Sequence, residues 1–312
     1  MFLHRLSRLA LLLGTFALLV LAGCAPPPRP GQGGAPPPGG RTFTVWMLSD
    51  IQPPTRAERI RFERAIADVK AMGMRIDMAV IAGDLLKGRS GDEAFAWFLA
   101  TRAAAPVARW YEIAGNHDRR SAANFDKYFS RPPAYGVRFG NALMLLLSDT
   151  LPSSATEISD ASFQWWRHMV LDDDASILLT VSHGQLQGSG LLGSMFASRV
   201  IVDSGRFEEV LRQRPVSLWA SGHSHLAHRL PGTFSCREEL GGTCFINVSA
   251  IDAGLFGASE SRLLIFSEGS TRLTIRSRDH DRGRFNDDLE LVVDLPRPFV
   301  YPSGEPEVLP GP

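Results

Sequence analysis

From residue 41 onward, short apolar runs alternate with stretches that are apolar on one face only. Five runs, 42–49 (TFTVWMLS), 78–82 (MAVIA), 110–114 (WYEIA), 176–182 (SILLTVS) and 216–221 (VSLWAS), have the length and apolarity of buried strands. Between the first two, Thr55 with Glu58 three residues on is a capping-box signature, and Ile60, Phe62, Ala65, Ile66, Val69 and Met72 form an apolar helical stripe that Gly73 can end. Runs 95–99, 125–129 and 163–171 predict further helices. Strands separated by helices imply a largely parallel sheet under helical cover. After Leu230 the pattern changes: Gly241-Gly242 and Glu268-Gly269 sit between segments rich in Val, Ile, Leu and Thr, which predicts antiparallel hairpins. No internal repeat is visible. Residues 295–312 carry six Pro and are expected to wrap the surface or fray.

The first 40 residues obey a different logic. Arg5 and Arg8 precede the thirteen-residue apolar run 9–21, the charged and apolar regions of an export signal. The run is shorter than the about 20 apolar residues that span a bilayer. It ends in Leu21-Ala22-Gly23-Cys24, which resembles the lipobox of bacterial lipoproteins, where the Cys becomes the acylated first residue after cleavage. Residues 1–23 are therefore read as a signal peptide and 24–40 as a lipidated Cys with a linker. Residues 25–40 hold seven Pro and five Gly, which cannot build a core, and at about 3.1 Å per residue they reach at most roughly 50 Å. The implied location is a bacterial cell envelope, with the domain tethered to the membrane through Cys24. Ala25 is not the Asp that commonly retains lipoproteins at an inner membrane, so an outer membrane is favoured if the cell has two.

Composition narrows the classes further. Hydrophobic residues make up 44% and charged residues 21%, which suits a globular chain and not a disordered or collagen-like one; three Cys are too few for a disulfide-dense scaffold. Thirty-three basic residues balance thirty-three acidic ones. That balance excludes nucleic-acid binding by bulk charge, which leaves a basic footprint. No Gly-x-Ser-x-Gly elbow occurs, which sets aside a serine hydrolase of that type. Oligomeric state is not legible.

The residues directly after each predicted strand are the informative feature. The chain reads Ser49-Asp50-Ile51-Gln52, Gly83-Asp84, Gly115-Asn116-His117-Asp118, Ser182-His183-Gly184 and Gly222-His223-Ser224-His225. Sites in open α/β sheets form at the carboxyl ends of strands, so these distant segments can converge on one rim. Gly83, Gly115 and Gly222 are expected to permit tight turns there. Carboxylates, imidazoles and amide oxygens without Cys suit Mn, Fe or Zn bound for chemistry better than a thiolate site.

In this order the motifs resemble those of the calcineurin-like metallophosphoesterases over about residues 43–266. The resemblance implies a four-layer α/β/β/α sandwich of two mixed sheets over 41–294. It implies two divalent metal ions (Mn, Fe or Zn) bridged by Asp84, the first completed by Asp50, Gln52 and His225, the second by Asn116, His183 and His223. A bridging hydroxide would attack a phosphate mono- or diester, with His117 as general acid oriented by Asp118. Gln52 stands where the first motif commonly has His. An amide offers only its oxygen, which implies weaker binding at the first position and a shift toward Mn or Mg. The alternative is a lipoprotein that keeps the fold as a non-catalytic metal-binding or scaffold protein.

Other residues carry competing readings. His228 reads as an ordinary solvated histidine or a contact near the site, and His168 as a packing or surface residue. Arg119 and Arg120 could fork onto phosphate oxygens or be helix-start surface charges. Residues 184–198, rich in Gly and Ser, could cover substrate or be a mobile connection. Cys236 and Cys244 flank the Gly241-Gly242 turn, and export to an oxidising compartment favours a disulfide between them.

Overall fold

The computed structural model describes residues 40–53, 56–153, 155–253 and 257–312. The signal segment, Cys24, the linker up to residue 39 and the Thr55 cap lie outside the described residues. Gly34–Pro312 forms one compact unit.

In chain order the elements begin with β1 (Thr42–Leu48), α1 (Arg56–Met72), β2 (Met78–Ile81), α2 (Asp92–Ala103), β3 (Trp110–Glu112), the single turn α3 (Asn116–Arg119) and α4 (Ala122–Phe129). A hairpin of β4 (Ala134–Phe139) and β5 (Ala142–Leu147) leads to α5 (Asp160–Asp172), β6 (Ile177–Ser182), α6 (Ser204–Gln213) and β7 (Leu218–Ser221). The last third adds β8 (Phe234–Arg237), β9 (Thr243–Asn247), β10 (Glu260–Ser267), β11 (Arg272–Asp279), β12 (Arg284–Phe285), β13 (Leu291–Asp294) and β14 (Glu307–Pro310). Gly73 ends α1 at φ +65°, as its position suggested.

The strands form two sheets, ordered β12-β11-β10-β1-β2-β3, with β13 also on β11, and β14-β4-β5-β6-β7-β9-β8. Parallel pairing links β1 to β2 to β3, and β5 to β6 to β7 to β9; the remaining pairs are antiparallel. The strand and helix alternation alone suggested a largely parallel sheet; the two mixed sheets are those that the family resemblance implied.

Both sheets are covered on both faces, which explains why their strands read as unbroken apolar runs. Along β1, Val45 and Met47 enter the core between the sheets, while Trp46 and Leu48 pack outward with Phe62 and Phe98 of the helices. On the other side, Leu143, Leu145 and Trp219 meet Trp166 of α5 and Phe207 of α6. The four layers are therefore α/β/β/α. Each fully buried large side chain contributes about 1.5–3 kcal/mol, and the buried indole N–H groups are satisfied: Trp46 donates to Ser261 Oγ, Trp166 to Thr180 Oγ1 and Trp219 to Ser182 Oγ. Cys236 and Cys244 face each other across β8 and β9 and form a disulfide. The Pro-rich end does not fray: β14 pairs with β4. No described helix is long and apolar enough to cross a membrane.

Candidate metal centre

The carboxyl ends of strands from both sheets meet at one rim. The first sheet delivers Asp50 and Gln52 after β1, Asp84 after β2, and Asn116 and His117 after β3; the second delivers His183 after β6, and His223 and His225 after β7. Bonds between these exits lock them together. Asp50 N donates to Gly83 O (3.1 Å), Gly222 N to His183 O (3.1 Å) and, across the sheets, His223 N to Asp50 Oδ2 (2.9 Å).

The local backbone is unusual. Asp50, Gln52, Asp84, His223 and His225 all have left-handed φ, between 35° and 64°. Such conformations cost about 1–3 kcal/mol each and persist where the surroundings enforce them. Close packing also explains the glycines. At Gly83 a Cβ would lie 2.6 Å from His183 Nδ1, and its φ is +87°. Gly115 has an extended backbone, so it is needed for space and not for a turn: a Cβ there would lie 2.3 Å from Asp84 Oδ1.

Two sets of ligand-type atoms result, Asp84 with His183 and His223, and Asp50 with Asp84 and His225, each within 4.8 Å of one another. Asp84 belongs to both. Asp50 Oδ2 is held by Ser49 Oγ (2.7 Å) and His223 N, which turns Oδ1 toward His225 Nε2 (2.9 Å). His183 Nδ1 donates to Ala82 O (2.8 Å), directing Nε2 toward Asp84 Oδ2 (3.1 Å). His223 Nε2 donates to Ser198 O (2.9 Å), which leaves Nδ1 to carry the lone pair.

The electrostatics ask for cations. Asp50, Asp84 and His183 are fully buried. Burial opposes charge on Asp50, but His225 and His183 overrule it and hold its pKa well below the usual carboxylate range. Burial likewise opposes protonation of His183, yet Asp84 and Asp50 push it up to about 10. Burial, reinforced by His183, lowers His223 to about 4 and keeps it neutral, as a ligand must be. Asp50 Oδ1, Asn116 Oδ1 and His183 Nε2 are buried without a well-directed hydrogen bond. Buried polar atoms are rarely left so. Oxygen and nitrogen donors aimed inward fit a divalent ion, so the residues present suit the implied metal pair.

One expected role needs correction. Asp118 does not orient the His117 ring. Its carboxylate accepts from Gly115 N (2.9 Å), Leu85 N (3.1 Å) and Leu86 N (3.2 Å), tying the β2 exit to the β3 exit, while His117 Nδ1 is buried without a partner. Burial and Asp84 raise the Asp118 pKa to about 7 against the pull of those N–H groups. Gln52 reaches the site, but it turns Nε2, not its oxygen, toward Asp84 Oδ2, because the buried carboxylate attracts the nearest N–H donor.

The remaining candidates fall outside the ligand sets. His228 is buried, not solvated: its ring bonds Ser277 Oγ (2.7 Å) and Val248 O (3.1 Å), partners far away in sequence. Arg119 pairs with Asp126, Arg120 Nε donates to Pro152 O, and His168 pairs with Asp172 on the surface. The segment 184–198 is an ordered wall of short 3-10 turns, Gln187–Ser189, Leu192–Met195 and Ala197–Arg199. Its end supports His223 through Ser198 O and through Arg199 Nη1, which donates to His223 O (2.8 Å). Asp149, at the exit of β5, was missed: it is buried, its Oδ2 has no partner, and its pKa is raised by burial to about 6. The signal was there, since Ser148-Asp149 comes after the apolar run 142–147 just as Ser49-Asp50 comes after 42–48.

Compared with known proteins, residues 43–227 match the family model described as calcineurin-like phosphoesterase. The chain belongs to the calcineurin-like phosphoesterase family. No curated protein matches it in sequence. Among solved structures, purple acid phosphatase PPD1 from yellow lupin (Lupinus luteus) seeds superposes with a TM-score of 0.59 at 13% identity, covering 86% of this chain and 55% of its own. GAP50, the anchor in the inner membrane complex of Plasmodium, gives 0.55 at 12% identity, covering 81% and 89%. This chain thus spans about half the length of the lupin protein. At such low identity these likenesses show the fold alone.

Proposed function

We propose that this calcineurin-like phosphoesterase is an exported, lipid-anchored, metal-dependent hydrolase of phosphate mono- or diesters. One observation carries the reading: Asp84 is shared by two ligand sets at one buried rim. Asp50, His225 and, with its amide turned over, Gln52 would hold one divalent ion; Asn116, His183 and His223 would hold the other. When bound, such a pair supplies an activated water and neutralises charge developing on phosphoryl oxygens. The chain's own part is to place the groups. Asp84 Oδ1 accepts from His117 N (2.8 Å), which fixes α3 beside the ligands. With Nδ1 buried, His117 has Nε2 left as the atom to hand a proton to the departing oxygen.

All three apolar clusters lie between Phe43 and Phe299, so a chain beginning at Gly34 carries the whole core. That soluble chain is expected to hydrolyse aryl phosphate or diphosphate esters with Mn and to stop on chelation. No turnover with Mn, Fe, Zn, Co or Mg over mono- and diesters would overturn the proposal. His117→Ala is expected to slow esters with poor leaving groups by about 10²–10⁴-fold and activated aryl esters far less; equal losses would remove the acid role.

The Cys236–Cys244 disulfide supports an oxidising compartment and hence export. Labelled fatty acid should enter the full chain in bacterial cells and be absent from Cys24→Ser. An amide at position 52, where the family's first motif commonly has His, favours a second reading, a fold that binds metal without turnover. Two ions per chain support catalysis; one or none supports the scaffold.

A further inference from the structure

Ser224 stands between two metal-ligand candidates, His223 and His225, and both neighbours have left-handed φ, 64° and 51°. Its Oγ accepts from Gln185 Nε2 (3.0 Å) and from Asn247 Nδ2 (2.6 Å), whose side chains are fully buried. Gln185 lies two residues after His183, at the β6 exit, and Asn247 ends β9, so one hydroxyl joins the exits of β6, β7 and β9. Each tether is itself anchored. Asn247 O accepts from Arg262 Nε of the first sheet (2.8 Å), and Asn247 Oδ1 accepts from Ser249 N (2.9 Å). Above the pair lies Gly193, where a Cβ would come within 2.6 Å of Gln185 Oε1 and 2.8 Å of Ser224 Cβ; the 184–198 wall closes over the cluster only because that residue is Gly.

We propose that Ser224, pinned by the amides of Gln185 and Asn247, is the positioning residue that fixes His223 and His225 relative to each other and so sets the affinity for both cations. This rests on the metal-centre reading above but not on turnover. The physical reason is directional. Two ligands on successive strained turns have no regular secondary structure to hold them, and groups that orient metal ligands typically control affinity by about 10–100-fold. Gln185 Oε1, buried without a partner, sharpens the distinction between site and scaffold. A buried acceptor left unmade opposes folding, so removing this amide is not expected to destabilise the metal-free chain.

Mn titration by calorimetry, with electron paramagnetic resonance for a coupled Mn pair, tests this on the chain from Gly34. Ser224→Ala is expected to weaken Mn binding about 10–100-fold and to lose the coupled signal, while Ser224→Thr, which keeps Oγ, restores binding to within about threefold of the original. Gln185→Met, of similar length and without polar atoms, is expected to weaken Mn binding while the metal-free protein melts at the same temperature or higher. It carries the test alone should Ser224→Ala not fold. Unchanged Mn affinity in Gln185→Met, or a loss matched by a fall in its metal-free melting temperature, overturns the proposal. So does a Thr variant that folds but binds no better than Ala. A wild-type chain that binds two Mn ions and hydrolyses no ester defeats the proposed activity and leaves this inference standing.

Discussion

The two sheets bring different chemistry to the rim. The first offers oxygen and amide groups, Asp50, Gln52, Asp84 and Asn116; the second offers imidazoles, His183, His223 and His225. Neither holds a complete set, since each ligand group draws on both. At the other end of β1 the sheets are joined by rings: Phe43 stacks on Phe139 at 4.7 Å, and Phe139 meets Phe266 edge-on at 5.4 Å. One end is closed by packing that needs nothing added, whereas the other gathers buried carboxylates whose negative charge asks for a counter-ion, beside imidazoles that can ligate it. The difference teaches that the site is a joint between layers, so what fills it bears on cohesion as well as on chemistry.

Asp84→Ala should disturb this joint most, because its carboxylate serves both sets: both ions should be lost from metal analysis and hydrolysis should fall about a hundredfold or more, whereas His225→Ala should lose only one ion. Next in size, Mn at 100 times its Kd should stabilise the chain by about 2.7 kcal/mol, raising Tm by roughly 5–10 °C in a domain of this size; a Tm indifferent to Mn and chelator would mean that the rim does not staple the sheets. Smallest, Gln52→His should exchange an amide that now faces Asp84 with its nitrogen for a lone-pair donor. It should tighten the weaker of two Mn-binding steps by about tenfold, roughly 1.4 kcal/mol, and leave the tighter one unmoved.

Much of this was legible from residue order alone. The β1, β2, β6 and β7 runs announced themselves because burial on both faces removes polar alternation, and the site residues were legible because each stands directly after such a run. Periodicity alone did not reveal the division into two sheets, which entered only through the family resemblance, since the mixed pairing includes β1 against β10, Thr42 opposite Ser267, more than 200 positions away. The β4–β5 hairpin went unread although Gly140-Asn141 sits between two apolar runs. Side-chain direction was the other blind spot. Asp118 is next to His117 in sequence, but on a single helical turn adjacent residues do not face each other, and its carboxylate finds backbone N–H groups instead. His228 could not be told from a solvated histidine because Ser277 and Val248, which bury it, arrive from other strands.

The last strand has a bearing on how these molecules behave toward one another. β14 lies along the outer side of β4, with Pro310 opposite Tyr135, and so hems a margin that would otherwise present open peptide groups. Proline has no N–H to extend a ladder, which makes this hem a poor template for a neighbour's strand. A chain trimmed after Tyr301 would keep Phe299 in the core but lose β14, leaving the edge of β4 open to any neighbouring copy and favouring clumping long before the interior unfolds.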